Sequence, residues 1–311
     1  MNRSPLTPNA VGTWALVVGG STTIGAEFAG QLAERGFNLV LVARGASRLE
    51  SLASDLRRQR RVEVKAVALD LLDAGATADL LKATEGLEVG LLIVNANLHR
   101  VNEFHRMSEG EKRAMSRLNY QVPVELTHHY GGAMVGRKRG GIIFVNTLNS
   151  LTALEIDAVF QGTKAGLRIF AESLSLEYER AGVRVASAHI SGIEGSESYE
   201  AKLSAGTRRV LRWMGTTLPP QRIVRQCLKQ FDDGRLILCP DGIFPLNRLG
   251  MAALDLLRIG GFRTQRSVLS RIFGAMLQGT EVKDGLRAKG YAPTATPRAS
   301  NGHAERNAHE G

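Results

Sequence analysis

A strand, a glycine turn and a helix follow one another between positions 14 and 35. The run Trp14–Val18 is apolar throughout, which is typical of a parallel strand buried on both faces. The turn begins at Gly19, and beyond it apolar residues recur every fourth position on one helix face. They are Ile24, Phe28 and Leu32. The unit predicts an α/β fold, and the helix N-terminus offers free N–H groups to a pyrophosphate.

Strand and helix patterns alternate along most of the chain. After the first unit, strands are predicted at 37–43, 62–69, 91–95, 142–145, 183–189 and 236–239. Helices are predicted at 47–59, 76–84, 109–135 with a break near Pro123, 158–180 and 220–231, and residues 1–12 form a loose lead-in. This alternation predicts a Rossmann-type doubly wound parallel sheet with helices on both faces.

Length and cysteine usage fit one large cytoplasmic domain with extensions. The 311 residues are 43% hydrophobic, which is enough for a substantial core. No apolar run approaches the ~18 residues of a membrane span, and the start of the chain lacks a signal-peptide pattern. Cys227 and Cys239 form neither a disulfide framework nor a metal-ligand spacing, so we expect a reducing cytosol and no metal site.

The net charge of +10 raises the question of a nucleic-acid partner. The 40 Lys and Arg residues are scattered, apart from the short runs 57–61 and 137–139. Aromatic residues make up only 5% of the chain, too few for the stacking platforms that bind single strands. Because a run of charge is usually a solvated helix end, no nucleic-acid partner is predicted.

The chain beyond the sixth predicted strand falls into three parts. Residues 193–220 mix Gly, Ser, Arg and Pro, which suits a flap over a ligand cleft. Residues 246–280 hold amphipathic helical pieces broken at Gly260 and Gly261. Their apolar faces could dock on the domain, on a second subunit or on a membrane surface, and docking on protein is the prediction. Residues 281–311 are rich in Pro, Ala, Arg, Asn and His, which predicts a disordered tail.

The glycine turn has the spacing of a known family. Positions 18–25 read V-G-G-S-T-T-I-G, which resembles the T-G-x-x-x-G-I-G turn of the short-chain dehydrogenase/reductase family. Thr23 replaces the middle glycine, so a β-branched side chain adds bulk where the family's backbone approaches its cofactor. Further marks that follow in the family's order are Asp70, Asn95, Asn119, Thr147, the pair Phe160 and Lys164, and Gly192 with Ile193. Between about 14 and 239, the chain is identified as a member of this family.

The resemblance implies a nicotinamide cofactor held by a domain at residues 1–245. The family positions that would bind it are Gly19, Ser21, Thr22, Thr23, Ile24, Gly25, Arg44, Asp70, Asn95, Lys164, Gly192 and Ile193. Arg44 follows the second strand, where the family selects its cofactor. No acid is present there to accept a ribose 2′-hydroxyl, and a guanidinium can bind a 2′-phosphate through two hydrogen bonds. NADP is therefore predicted over NAD.

The resemblance also assigns a proton relay. In the family, a helix Asn holds a water, a Ser hydroxyl binds the carbonyl, and a Tyr and a Lys at i and i+4 complete the relay. Asn119, Thr147 and Lys164 match three of these catalytic positions, and Thr147 keeps the hydroxyl. Phe160 stands in place of the catalytic Tyr and has no group that can give or take a proton.

The missing phenol leaves three functions open. Glu155 and Asp157, on the loop before the helix, could reach the cleft, but no neighbour obviously replaces the phenol. The first function is an NADP-dependent oxidoreductase that acts on a carbonyl or secondary alcohol through an atypical or impaired site. The second is a catalytically inactive NADP-binding sensor or interaction protein, and the third is a non-redox lyase or cyclase on the same scaffold. For an active enzyme, the predicted substrate is a small apolar molecule.

The resemblance further implies a homodimer or homotetramer. In the family, the long helices placed here at 109–135 and 158–180 pair across a two-fold axis. The second helix carries Phe170, Leu174 and Tyr178 at i, i+4 and i+8, which is more apolar surface than one sheet face needs. We therefore expect these three side chains at a subunit interface.

Overall fold

The computed structural model describes residues 5–151, 156–195 and 217–240, together with the single positions 206 and 209. The strands in these ranges are β1 (Trp14–Val18), β2 (Asn38–Ala43), β3 (Val64–Ala68), β4 (Val89–Val94), β5 (Gly140–Thr147), β6 (Val183–Ile190), β7 (Gly192–Ile193), β8 (Thr217–Leu218) and β9 (Ile237–Leu238). Seven of them form a parallel sheet in the order β3-β2-β1-β4-β5-β6-β9, and β7 pairs with β8. This confirms the predicted doubly wound sheet. The order reverses between β1 and β4, where such sheets form a ligand crevice at the carboxyl ends of the strands.

Helices cover both faces of the sheet, as predicted. Those in the described ranges are α1 (Pro8–Val11), α2 (Thr23–Glu34), α3 (Ala46–Arg60), α4 (Ala76–Ala83), α5 (Glu109–Ser116), α6 (Val122–Leu126), α7 (Gly132–Arg137), α8 (Ala158–Tyr178) and α9 (Pro220–Asp232). On one face, α2, α3 and α9 pack against Val17 and its strand neighbours. On the other, α4, α6 and α8 pack against Leu16 and its neighbours. Successive strand residues point to opposite faces, so a continuous apolar run serves both layers.

The start of the chain is not the loose lead-in that the sequence indicated. In the described part, Pro8–Val11 forms a short helix, and Leu6 is only 1% exposed in the core. The backbone N–H of Leu6 donates to a carboxylate oxygen of Asp232 on α9 at 2.7 Å. The same carboxylate pairs with Arg35 at the end of α2 at 3.0 Å, so this segment is joined to α2 and α9 by polar contacts as well as to the core by Leu6.

The helix after Ser108 is continuous where a break was predicted at Pro123. It begins with a capping box between Ser108 and Glu111 and runs through two π turns, Arg117–Gln121 and Thr127–Gly131, to Arg137. A proline ring collides with the carbonyl four residues earlier in a regular α-helix. The π turn immediately before Pro123 is wider, so the helix accommodates the ring without ending.

Several predicted boundaries fall outside the described residues. The flap at 193–220 lies largely outside them, and the extension at 246–280 and the tail at 281–311 lie wholly outside. Cys227 and Cys239 are buried and not joined by a disulfide. In the part of the chain that the structure describes, no helix has the length and hydropathy needed to cross a membrane.

Candidate functional site

The turn after β1 is held in shape by two polar side chains. Thr22 caps α2, because its hydroxyl accepts the Gly25 N–H at 3.2 Å and donates to the Gly19 carbonyl at 3.0 Å. Asn95, at the end of β4, donates to the same carbonyl at 3.0 Å and to the Thr22 hydroxyl at 2.7 Å. The sequence placed Thr22 and Asn95 in the cofactor site but did not show that they contact each other.

Two glycines in this turn have no room for a side chain. Gly19 has a φ of +84°, and a Cβ there would lie 2.7 Å from the Ala96 nitrogen. A Cβ on Gly25 would lie 2.0 Å from the Gly19 carbonyl oxygen. Thr23 is different, since it begins α2 with an ordinary negative φ and an exposed side chain. The turn therefore accommodates its β-branched side chain without backbone strain.

The same turn presents an open set of backbone donors. Among the described residues, no hydrogen bond uses the N–H groups of Ser21, Thr23 or Ile24. These groups lie at the N-terminus of a twelve-residue helix, where the helix dipole adds a partial positive charge. Unused N–H groups in such a place fit an anion such as the pyrophosphate of a dinucleotide.

Arg44 and Asp70 lie together at the neighbouring edge of the sheet. The Arg44 side chain is 76% exposed, and its Nη1 lies 3.9 Å from a carboxylate oxygen of Asp70. The other oxygen of Asp70 accepts the N–H of Leu72 at 3.0 Å, which stabilises a turn. Asp70 does not cap the next helix, because Gly75 directly precedes that helix. Arg44 is thus free to turn toward an anionic ligand.

Lys164 is buried at the base of α8, against the end of β5. Its Nζ donates to the Val145 carbonyl at 3.2 Å, and Asn146 donates to the Lys164 carbonyl at 3.0 Å. Burial lowers the pKa of Lys164 to about 8, so the amine is protonated in most molecules at neutral pH. Thr147 ends the same strand and is half-buried, with its N–H bonded to the Asn146 side chain at 2.8 Å.

Asn119 holds the loop that follows β4. Its side-chain amide accepts the Leu98 N–H and donates to the Leu98 carbonyl, both at 2.8 Å. It also donates to the Thr163 hydroxyl on α8 at 3.3 Å. Because the residue is fully buried in the π turn Arg117–Gln121, its amide joins this loop to the helix that carries Phe160 and Lys164.

Phe160 occupies the first turn of α8 in a small apolar cluster. It packs with the buried Met107 and Met115, and the Lys164 Nζ lies 5.8 Å from its ring centroid. The imidazole of His99 stacks on the same ring, with centroids 4.0 Å apart and planes 26° from parallel. His99 Nε2 also lies 2.9 Å from a carboxylate oxygen of Asp157.

The sequence did not single out His99. It lies 58 positions before Asp157, outside the marks shared with the family, and its spacing to other polar residues carries no signal. Asp157, which the sequence allowed to reach the cleft, contacts His99 and Gln161. Glu155, the other acid considered, lies outside the described residues.

A second histidine near the site has a different character. His189 on β6 is fully buried, with Nδ1 3.2 Å from the Ser150 hydroxyl and 3.3 Å from the Thr147 carbonyl. Burial lowers the pKa of His189 to about 4, so it is neutral at neutral pH. It therefore lacks the acidic second proton of an imidazolium at neutral pH.

The predicted site residues gather along the carboxyl edge of the sheet. The turn at Gly19–Gly25 contacts Asn95, Arg44 lies near Asp70, and Asn119 is linked to the α8 turn that carries Phe160 and Lys164. Gly192 and Ile193 form β7, two residues beyond Ile190, which pairs with Thr147. No group of three or more His, Cys, Asp or Glu residues among those described could hold a metal ion.

Comparisons with known proteins identify the family to which the chain belongs. The profile of the short chain dehydrogenase family matches residues 13–203. A very-long-chain 3-oxoacyl-CoA reductase-like protein of Arabidopsis thaliana is 31% identical over 191 residues, which are 59% of this chain and 61% of that protein. A 7beta-hydroxysteroid dehydrogenase of Clostridium sardiniense is 30% identical over 174 residues, 56% of this chain and 67% of that protein.

A solved structure shares the fold. The short-chain dehydrogenase from Sphingobium yanoikuyae in complex with NADPH aligns with a TM-score of 0.68 at 24% identity, covering 78% of this chain and 94% of that one. The chain belongs to the short-chain dehydrogenase/reductase family. It spans less than two thirds of the length of the first relative named.

Proposed function

We propose that the protein is an NADP-dependent oxidoreductase that interconverts a ketone and a secondary alcohol. The observation that carries this proposal is the turn after β1, where three N–H groups that no described residue uses lie at a helix N-terminus. Gly19 and Gly25 let the backbone of this turn pack closely on itself. A dinucleotide would bind with its pyrophosphate on this turn. Bound NADPH would supply a hydride to the carbonyl carbon.

The chain's own residues would then orient the reactants. Lys164, mainly protonated at neutral pH, can donate to a ribose hydroxyl from its buried position beside Phe160. Thr147 keeps a hydroxyl at the end of β5, as the family relay requires for hydrogen bonding to a carbonyl. Gly192 and Ile193, just beyond β6, would flank the nicotinamide. The family position assigned to Asn119 is occupied by a buried amide that fixes the adjacent loop.

The substrate proposed is a bulky, mostly apolar ketone. The two relatives are named for very-long-chain 3-oxoacyl-CoA and for a hydroxysteroid, both of which join a carbonyl or hydroxyl to a large apolar body. Phe160 also packs in a buried apolar cluster with Met107 and Met115, so the protein interior beside this part of the site is apolar. We place the protein in the cytoplasm, as its cysteine usage predicts.

Phe160 favours a second candidate function, a non-catalytic NADP-binding protein. A benzyl side chain cannot give or take a proton, and a positioned general acid is typically worth ~10²–10⁴-fold in rate. The deciding experiment is a titration of the purified protein with NADPH and NADH, followed by fluorescence or calorimetry, and then turnover with a panel of ketones. Binding with no turnover would favour the second function, and no binding would contradict both.

Arg44→Ala is expected to weaken NADPH binding by ~1.5–3 kcal/mol, because a charge-assisted hydrogen bond to the 2′-phosphate is lost. NADH has no such phosphate, so its affinity should barely change. Calorimetric titration of both nucleotides measures the difference. Arg58→Ala is the matched control, since Arg58 is 75% exposed against 76% for Arg44 and lies on α3, paired with Asp55. Equal affinity of the unsubstituted protein for NADH and NADPH would contradict the assignment.

We also propose a homodimer or homotetramer that buries one face of α8. The three residues expected at the interface pack inside the protomer: Leu174 is buried, and Phe170 and Tyr178 pack on the protein's own core. The apolar side chains left outside are Ile169, 50% exposed, and Leu176, 72% exposed. They lie seven residues apart, on one helix face.

The double variant Ile169→Asp, Leu176→Glu is therefore expected to be a monomer, because it places two charges in an apolar contact. Light scattering or sedimentation gives the mass. Phe104→Glu, which charges another exposed apolar side chain, should keep the mass of the unsubstituted protein. A strictly monomeric unsubstituted protein at micromolar concentration would refute this assembly.

A further inference from the structure

Among the residues that the structure describes, His99 is the imidazole that contacts the ring in the place of the family's catalytic phenol. It lies five residues beyond β4, on the loop that Asn119 fixes through Leu98. Its ring stacks on Phe160 at 4.0 Å between centroids and is 31% exposed. The imidazole therefore lies over the phenyl ring, with part of its surface open to solvent.

Asp157 holds one edge of this imidazole. The carboxylate is buried, with one oxygen 2.9 Å from His99 Nε2 and the other accepting the Gln161 Nε2 at 2.8 Å. Asp157 precedes α8 but does not cap it, so its side chain is committed to His99 and Gln161. A carboxylate held at both oxygens fixes the orientation of the imidazole it contacts.

The backbone next to Asp157 is strained. Ile156 has a φ of +59°, in the left-handed region that a β-branched residue rarely adopts. Its carbonyl accepts the N–H of Asn102, which joins the loop before α8 to the loop that carries His99. Strain of this kind persists where the surrounding structure imposes it, and it clusters at functional sites.

The contact with Asp157 determines which ring nitrogen can exchange a proton. A carboxylate accepts hydrogen bonds, so Nε2 keeps its hydrogen and points it at Asp157. Nδ1 then carries the exchangeable proton. Among the residues that the structure describes, none forms a hydrogen bond with Nδ1.

We propose that His99 is the proton-transfer residue of this site and that Phe160 is the platform on which its imidazole stacks. The proposal rests on the reductase function proposed above. In the reducing direction, the carbonyl carbon gains a hydride while the electron pair of the C=O π bond moves to the oxygen. That oxygen takes the proton from Nδ1 of the imidazolium and becomes a hydroxyl. The imidazole is left neutral with its Nε2–H on Asp157, and solvent returns the proton through the exposed edge.

Other titratable groups nearby are less suited to this role. The Lys164 Nζ is buried and bonded to the Val145 carbonyl, 5.8 Å from the Phe160 ring centroid. His189 is fully buried, and its Nδ1 is engaged by Ser150 and the Thr147 carbonyl. His99 combines a carboxylate partner on Nε2 with a side chain that is 31% exposed.

Kinetics with a reducible ketone provide the first test. His99→Gln is expected to lower kcat by ~10²–10⁴-fold, the usual worth of a positioned acid, while the NADPH Kd changes little. Added imidazole should restore part of the turnover of His99→Ala. His105→Ala is the matched control, because His105 is on the same loop but 75% exposed and pairs with Glu103. Turnover of His99→Gln close to that of the unsubstituted protein would overturn the proposal.

Phe160→Tyr distinguishes two roles for Phe160: a platform for His99, or a loss of the proton donor from an otherwise intact family site. If His99 transfers the proton, adding the phenol should change turnover far less than the ~10²-fold or more that a newly supplied acid provides. A large gain in Phe160→Tyr that persists in the double variant with His99→Gln would overturn the proposal. It would at the same time support the reductase assignment.

Nitrogen NMR of the protein without nucleotide gives a readout that needs no turnover. The neutral imidazole of His99 should be the Nε2–H tautomer, and Asp157→Asn should shift the population toward Nδ1–H, because an amide N–H can donate to Nε2. A neutral Nδ1–H form in the unsubstituted protein would overturn the inference whatever the activity. If NADPH does not bind, the proposed function fails and this inference fails with it. If NADPH binds and turnover is unaffected by His99→Gln, the inference about His99 is wrong while the proposed function stands.

Discussion

Gly25→Ala is expected to destabilise the protein by at least about 3 kcal/mol and to abolish NADPH binding. The new Cβ would lie 2.0 Å from the Gly19 carbonyl oxygen, a backbone atom that cannot move without displacing the whole turn. That carbonyl also accepts hydrogen bonds from Thr22 and Asn95, so these bonds would be strained as well. Denaturant unfolding and nucleotide titration measure the two effects.

Gly30→Ala is the control, because it makes the same change in the same helix. Nothing lies within 4 Å of a Cβ at Gly30. Alanine in a helix interior is favoured over glycine by roughly 0.5–1 kcal/mol, so this variant should be slightly more stable and bind NADPH normally. A Gly25→Ala protein as stable as Gly30→Ala would show that the turn is not as close-packed as described.

Lys164→Met is expected to stabilise the protein at neutral pH while weakening NADPH binding. Burial lowers the pKa of Lys164 from 10.5 to about 8 in the folded state, so a charge is held there at a cost of about 3 kcal/mol below pH 8. Methionine has a similar length and no charge to bury. NADPH affinity should fall by ~1.5–3 kcal/mol, the size of a hydrogen bond to a charged group.

The pH dependence gives this prediction a definite sign. Between pH 8 and 10.5, the unfolded chain binds more protons at this lysine than the folded protein does, so the unfolding free energy should rise with pH in that window. Lys164→Met should lose that rise, and its advantage should vanish above the window. Lys229→Met, on the exposed side of α9, is the control. Chemical unfolding without nucleotide at pH 7 and 10.5 measures the difference in unfolding free energy. Equal stability of Lys164→Met and the unsubstituted protein at pH 7 would contradict the prediction.

The main elements of the fold could be predicted because they depend on local patterns. The apolar run before Gly19 and the spacing of Ile24, Phe28 and Leu32 defined the first unit. Later strands were placed within a few residues of their observed bounds. Pro123 was misjudged because proline's effect on a helix depends on the hydrogen bonding of the preceding turn, and a π turn leaves no trace in composition.

The site was only partly predictable. The resemblance to the family pointed to Phe160 and Lys164, four residues apart on a helix, and to Arg44 after β2. His99 and Asp157 meet only because the loops after β4 and before α8 lie side by side, a contact between positions far apart in sequence. Phe170 and Tyr178 were assigned to an interface since periodicity identifies an apolar face but not its partner, which here is the protein's own core.

The segment from Asn95 to Leu98 is anchored at both ends. Asn95 is hydrogen-bonded to the turn that would bind the nucleotide. Leu98 directly precedes His99, and its N–H and carbonyl are both hydrogen-bonded to the Asn119 side chain. A displacement at one end of so short a connection is expected to reach the other end. We therefore expect the turn and the imidazole to be thermodynamically coupled, so that the free-energy effects of paired substitutions at the two places do not sum.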